Sequence, residues 1–139
     1  NKPKATQEAF TPDGWFKSGD IAILDGDSIK ILGRNSVDII KSGGYKISAL
    51  EIEEALRKHP KIKDCGVVGI PNLEWGEIIG AAIVPETDNF DIEELKSWLH
   101  KKLPGYKTPR KYMFMSDLPR NVMGKVTKNN IKELFTTNQ

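Results

Sequence analysis

Two helix-start signals and two proline stops divide the middle of this chain and limit what it can fold into. Ser48 is followed three residues later by Glu51, the spacing of a capping box in which side-chain oxygens take up free backbone N–H groups. A helix is expected from there to about Lys58, with Ile52, Ala55 and Leu56 on one face, until Pro60 stops it. Asp91 with Glu94 marks a second helix, with Ile92, Leu95, Leu99 and Leu103 as its apolar stripe, and Pro104-Gly105 ends it. Between the two lie runs rich in β-branched residues, 64–70 and 78–84, which read as strands. Segment 111–116 is expected to be a third strand and 127–135 a short terminal helix. The class is therefore α+β, a central three-stranded sheet flanked by helices.

Upstream the pattern changes. Residues 1–20 are polar and loop-like, with Pro3, Pro12 and Gly14 as breakers. Ile21–Leu24 and Ser28–Leu32 flank an Asp-Gly turn and read as a β-hairpin that precedes the sheet, closed by Gly33-Arg34. Ile39-Ile40-Lys41 is a short strand candidate, and Ser42-Gly43-Gly44 a sharp turn whose glycines supply positive φ. A change of unit is expected near Gly33-Arg34, dividing the chain into 1–33 and 34–139.

Hydrophobic residues make up 38% and charged residues 29%, enough to bury a core and stay in solution. No apolar run approaches the roughly 18–20 residues of a membrane span. The first ten residues lack the basic and apolar regions of a secretory signal, and the missing initiator Met suggests an excised piece. Cys65 stands alone, which favours an intracellular origin, and its apolar run 65–70 makes it a buried structural residue rather than a catalytic thiol. With only His59 and His100, no metal site is expected. Net charge is +2 but uneven: residues 101–139 hold nine Lys and Arg against Asp117 and Glu133, a net of +7, while residues 1–100 carry −5. A basic end suits an anionic ligand such as a nucleotide, CoA or nucleic acid, and equally a solvated charged face.

Three segments carry more than folding requires. Gly14–Asp20 encloses Trp15 and Phe16 between glycines and ends on Asp20, whose carboxylate can accept two hydrogen bonds from adjacent ribose hydroxyls. Gly33 to Glu53 combines Arg34, a planar donor fork for ribose or phosphate oxygens, with Asp38, Lys41, the double-Gly turn, Tyr45-Lys46 and a capped helix. Pro119–Val126 sets Gly124 before Lys125, which keeps the turn thin and lets the amine reach outward. Its ammonium can stabilise charge moving between a carboxylate and a phosphate. Taken singly, each has a plain reading: a turn, a hinge with surface ion pairs, a solvated lysine. Neither a Walker loop nor a dinucleotide fingerprint is present.

In order, the three segments resemble those of acyl-CoA synthetases, peptide-synthetase adenylation domains and luciferases, over residues 10–135. The wording from Gly33 to Glu51 resembles the eukaryotic malonyl-CoA synthetase branch. The resemblance implies that residues 1–33 end a large N-terminal adenylation domain and that 34–139 form the mobile C-terminal domain. It implies an ATP-dependent acid-thiol ligase, an AMP-forming acyl-CoA synthetase of fatty acid and lipid metabolism. The acid would be malonate or a similar small one; a medium- or long-chain fatty acid is the alternative. Lys125 would serve acyl-adenylate formation, Asp20 and Arg34 would hold ATP or AMP, and Gly43, Gly44, Tyr45 and Lys46 would line the passage for CoA. Ser36, Val37 and Asp38 would contain the hinge. Mg²⁺ would arrive bound to ATP rather than to this domain. The enzyme would be intracellular, mitochondrial or cytoplasmic, and this piece alone inactive for want of the acid pocket.

A rival from another class is a basic nucleic-acid- or protein-binding module. Its Lys-rich end fits, but no RRM, KH or helix-turn-helix pattern accompanies it, and aromatics do not interleave with the basic residues. No nucleic-acid partner is expected. Trp15, Trp75 and Trp98 are scattered and read as packing residues.

Overall fold

A computed structural model describes residues 3–35 and 37–138 of the 139-residue chain. Helix α1, Pro3–Glu8, opens it. The hairpin follows as β1, Asp20–Asp25, paired antiparallel with β2, Ser28–Arg34. Next come β3, Ile39–Ser42, and β4, Tyr45–Ser48, then helix α2, Ala49–Arg57. The long strands β5, Ile62–Asn72, and β6, Gly76–Pro85, precede helix α3, Ile92–Lys102. A 3-10 turn at Gly105–Lys107, strand β7 at Lys111–Phe114 and helix α4 at Lys128–Thr137 complete the chain.

The α+β class holds, but the sheet has five strands rather than three. Its order is β4-β3-β6-β5, with β7 parallel to β6. The missed strand is β4. Tyr-Lys-Ile-Ser offers only one aliphatic residue to a strand reading, and Ser48 is more visible as a helix cap. The Gly43-Gly44 turn nevertheless closes β3 onto β4 with Ile40 opposite Ile47. Helix α1 also differs from the loop expected over residues 1–20. Pro3 costs nothing in a first turn, where its missing N–H would have no partner.

Strands β5 and β6 read as near-continuous apolar runs because both of their faces are covered. Cys65 and Val67 with Ile79, Ala81 and Ile83 face α2 and α3, where Ile52, Leu56, Leu95 and Leu99 are fully buried. Val68 and Ile70 with Ile78, Ala82 and Val84 face α4, through Ile131 and Phe135. Each such aliphatic side chain contributes about 1.5–3 kcal/mol on burial. Gly66 admits α4: a Cβ there would stand 2.7 Å from Ile131 Cδ1. The three-layer body thus holds α4, and the loop before it, rigidly against the sheet.

Candidate functional site

The hairpin puts Asp20 directly opposite Arg34 in the β1–β2 register. Arg34 Nε lies 3.8 Å from Asp20 Oδ1, with both side chains well exposed. Two residues fourteen apart in sequence therefore present a carboxylate and a guanidinium side by side. One can accept from hydroxyls while the other donates to phosphate or ribose oxygens.

Just beyond, the expected hinge divides into unlike residues. Ser36 lies outside the described residues. Val37 is partly exposed, whereas Asp38 is buried and gripped from several sides. Its Oδ2 accepts the Arg34 N–H at 2.9 Å, and its Oδ1 accepts from Lys128 Nζ at 2.8 Å. Its carbonyl accepts the Ala49 N–H at 2.7 Å. Lys128 Nζ also pairs with Glu53 Oε1 at 2.8 Å, and that same oxygen accepts the Val67 N–H. A largely buried cation between two buried carboxylates, each with further donors, satisfies charges that would be costly alone. Nothing in the local sequence marks Lys128, which lies 90 residues from Asp38.

At the double-Gly turn, φ is +56° at Gly43 and +84° at Gly44, as a two-residue hairpin turn with positive φ at both positions requires. A Cβ at Gly43 would stand 2.9 Å from the Trp75 ring, so the indole lies directly on the turn. Arg110 stacks its guanidinium 4.4 Å above that ring. Tyr45 stacks on Tyr106 with centroids 4.4 Å apart and planes 21° from parallel. Lys107 donates to both oxygens of Glu51 at 3.0 Å, which pins the 3-10 turn bearing Tyr106 to the start of α2. Ser42, Tyr45, Trp75, Tyr106, Thr108 and Arg110 line a narrow cleft of about 50 Å³ beside the turn. Lys46 is exposed and sits opposite Lys41 in the β3–β4 register, so two cations flank each other on the same edge. The sequence reading included Gly43, Gly44, Tyr45 and Lys46 here but missed Trp75, Tyr106 and Arg110. They come from other segments, and only the tertiary fold brings Trp75 onto Gly43, Arg110 onto Trp75 and Tyr106 onto Tyr45.

The Lys125 loop is tied at its base and open at its tip. Asn121 Oδ1 accepts the N–H groups of Met123 and Lys125, both at 3.0 Å. Asn121 N–H donates to the Lys125 carbonyl at 2.9 Å, and Arg120 Nη1 to the Gly124 carbonyl at 2.9 Å. Arg120 Nη2 reaches Asp64 on β5 at 2.5 Å, fastening the loop to the sheet. Gly124 takes φ +78°, a conformation that would strain a side chain. Lys125 itself is exposed, and among the described residues its ammonium has no ion pair. The backbone around it is fixed, and the exposed amine is free of ion pairs with the described residues. Asn121, inside the Pro119–Val126 segment, is the side chain that fixes that backbone.

Cys65 is buried, its Sγ set 3.6 Å from the Glu53 carbonyl, and burial pushes its thiol pKa up to about 12. At neutral pH it is protonated and inert as a nucleophile. No cluster of three or more His, Cys, Asp or Glu able to hold a metal occurs among the described residues. None of the described helices is long and apolar enough to cross a membrane.

The family "AMP-binding enzyme C-terminal domain" matches residues 51–125. A "Probable CoA ligase" of Humulus lupulus is 44% identical over 99% of this chain and 24% of its own length. A mitochondrial malonate–CoA ligase of Bos taurus is 45% identical over 97% of this chain and 23% of its own. The chain thus spans about a quarter of the length of the curated relatives it matches. Among solved structures, o-succinylbenzoate CoA synthetase of Bacillus subtilis in complex with its acyl-adenylate intermediate gives a TM-score of 0.85 at 34% identity. It covers 95% of this chain and 27% of that one. A double mutant of the same enzyme bound to a CoA product analogue gives 0.70 at 33% identity, covering 96% and 27%.

Proposed function

Since the chain belongs to the C-terminal domain family of AMP-binding enzymes, we propose that it supplies the mobile lid and the catalytic lysine of an ATP-dependent acyl-CoA synthetase. The observation that carries this reading is Lys125, its backbone locked by Asn121 and its unpaired ammonium projecting from the Gly124 turn. Residues 1–33 then belong to the large adenylation domain and 34–139 to the lid.

In the first half-reaction a carboxylate oxygen attacks the α-phosphorus of ATP, pyrophosphate leaves with the electron pair, and an acyl-adenylate forms. Asp20 accepts from the ribose hydroxyls and Arg34 donates to the same nucleotide. Lys125 sets its charge between the acid and the α-phosphate, where negative charge builds up in the transition state. Mg²⁺ would arrive bound to ATP and would supply charge neutralisation at the phosphates. In the second half-reaction the CoA thiol attacks the acyl carbon and AMP leaves. The lid turns between the two, so that Lys125 withdraws and the Gly43-Gly44 face lines the thiol's path. Tyr45, Trp75, Tyr106 and Arg110 supply rings and a cation for the nucleotide end of CoA, and Lys41 and Lys46 supply charge for its phosphates.

The chain aligns better with the relative holding an acyl-adenylate than with the one holding a CoA product analogue, which supports reading the present arrangement as the adenylation pose. The hold of Lys128 and Ala49 on Asp38, the last residue of the expected hinge, supports a pivot upstream of it, at residues 35–37. The name of the Bos taurus relative supports malonate as the acid and the mitochondrion as the location. The full-length enzyme, assayed for thioester formation with malonate, methylmalonate, acetate and long-chain acids, tests this. Malonate should give the highest kcat/KM. Preference for a long-chain acid would replace the malonate reading.

A further inference from the structure

Ser48 uses one hydroxyl twice. Its Oγ accepts the Glu51 N–H at 3.3 Å, capping α2, and donates to the Leu32 carbonyl at 2.6 Å. The first bond lies within the lid. The second runs from β4 to β2, across the segment 35–37 at which the lid pivots. Its neighbours reinforce it. Asp38 Oδ2 holds the Arg34 N–H, and Gly33, at φ +125°, lies so near Asp38 that a Cβ would come within 2.5 Å of the Asp38 Cβ. Three successive residues, Leu32, Gly33 and Arg34, are thus gripped by Ser48 and Asp38 from beyond segment 35–37. Ser48 is only 4% exposed, so its bond is shielded from competing water.

A turn at residues 35–37 carries Ser48 away from Leu32. A bond present in one pose and absent from the other biases the equilibrium between them. We propose that Ser48 is a positioning residue whose hydroxyl clasps the hairpin in the adenylation pose and must release Leu32 before the thioester-forming pose is reached. This rests on the two-pose reading above. Buried, with its hydroxyl taken up by Leu32 and Glu51, Ser48 acts through the orientation of the lid, and so of Lys125.

Cap and clasp are separable because the cap needs an acceptor and the clasp needs a donor. Ser48→Asp keeps the acceptor and removes the donor. Ser48→Thr keeps both, and Ser48→Ala loses both. The experiment measures the two half-reactions of the full-length enzyme separately, as pyrophosphate exchange and as thioester formation from supplied acyl-adenylate, with melting temperature alongside. Ser48→Asp should lower adenylation about 3- to 10-fold, the worth of one neutral hydrogen bond. The thioester step should be unchanged or faster, and Ser48→Thr should match the parent. Ser48→Ala should show the same split with a lower melting temperature, so the outcome survives if the buried aspartate disturbs folding. Parent-like half-reactions in both Ser48→Asp and Ser48→Ala, or equal losses in both steps, overturn the clasp. Lys125→Ala, run in parallel, separates the two claims. If it loses adenylation selectively while the Ser48 variants show no split, the clasp alone falls. If it does not, the two-step reading falls with it.

Discussion

Replacing Lys128 with Met removes the cation that sits between Asp38 and Glu53 while keeping most of the side chain's bulk. The side chains of Lys128, Asp38 and Glu53 are 14%, 12% and 4% exposed, so water can replace the ammonium only in part. Breaking a buried pair by deleting one partner costs about 3–5 kcal/mol. The lower end applies here. Glu53 keeps the Val67 N–H and a 3.6 Å contact with Arg57, and Asp38 keeps the Arg34 N–H. The expected loss is about 3 kcal/mol, equivalent to a fall of roughly 10 °C in melting temperature for a chain of this size. Urea unfolding followed by tryptophan fluorescence measures it. Adding Asp38→Asn and Glu53→Gln to Lys128→Met should recover much of the loss, because no charge is then left buried. A loss below about 1 kcal/mol for Lys128→Met alone would refute the reasoning, since it would mean that the triad is solvated.

Gly44 has open space around it, and a Cβ there would meet no atom within 4 Å, so Gly44→Leu should fold at a cost of about 1–2 kcal/mol for its φ of +84°. In the full-length enzyme it should leave adenylation nearly intact and slow thioester formation by roughly tenfold or more; equal effects on both steps would remove this turn from the thiol path. Cys65, its pKa pushed to about 12 by burial, should resist iodoacetamide at pH 8 in the native protein and react fully in denaturant. Rapid labelling of the native chain would show that the sheet beneath α2 opens easily.

What the sequence displayed most clearly was local. The Ser48 cap, the Asp91 cap and the apolar, β-branched runs Cys65–Ile70 and Ile78–Val84 each follow from residues near one another, and all four elements appear close to their expected bounds. Strand β4 was hidden because its neighbours across the sheet, not its composition, make it a strand. The same reason hid half of the candidate site. Asp20, Arg34 and Lys125 lie in recognisable segments, whereas Trp75, Tyr106 and Arg110 acquire their place only when the turn before β6, the 3-10 turn and the start of β7 pack beside Gly43 and Tyr45. Lys128 looked like one more cation in a basic end until the fold set it between two acids.

The role of Lys125 is the central claim, and separate measurement of the half-reactions in full-length Lys125→Ala tests it most directly. Pyrophosphate exchange should fall by about two to three orders of magnitude, as for removal of a preorganised charge at a developing anion. Thioester formation from supplied acyl-adenylate should stay within about threefold of the parent, because Lys125 has by then left the site. Equal losses in both half-reactions, with the protein folded, would contradict it.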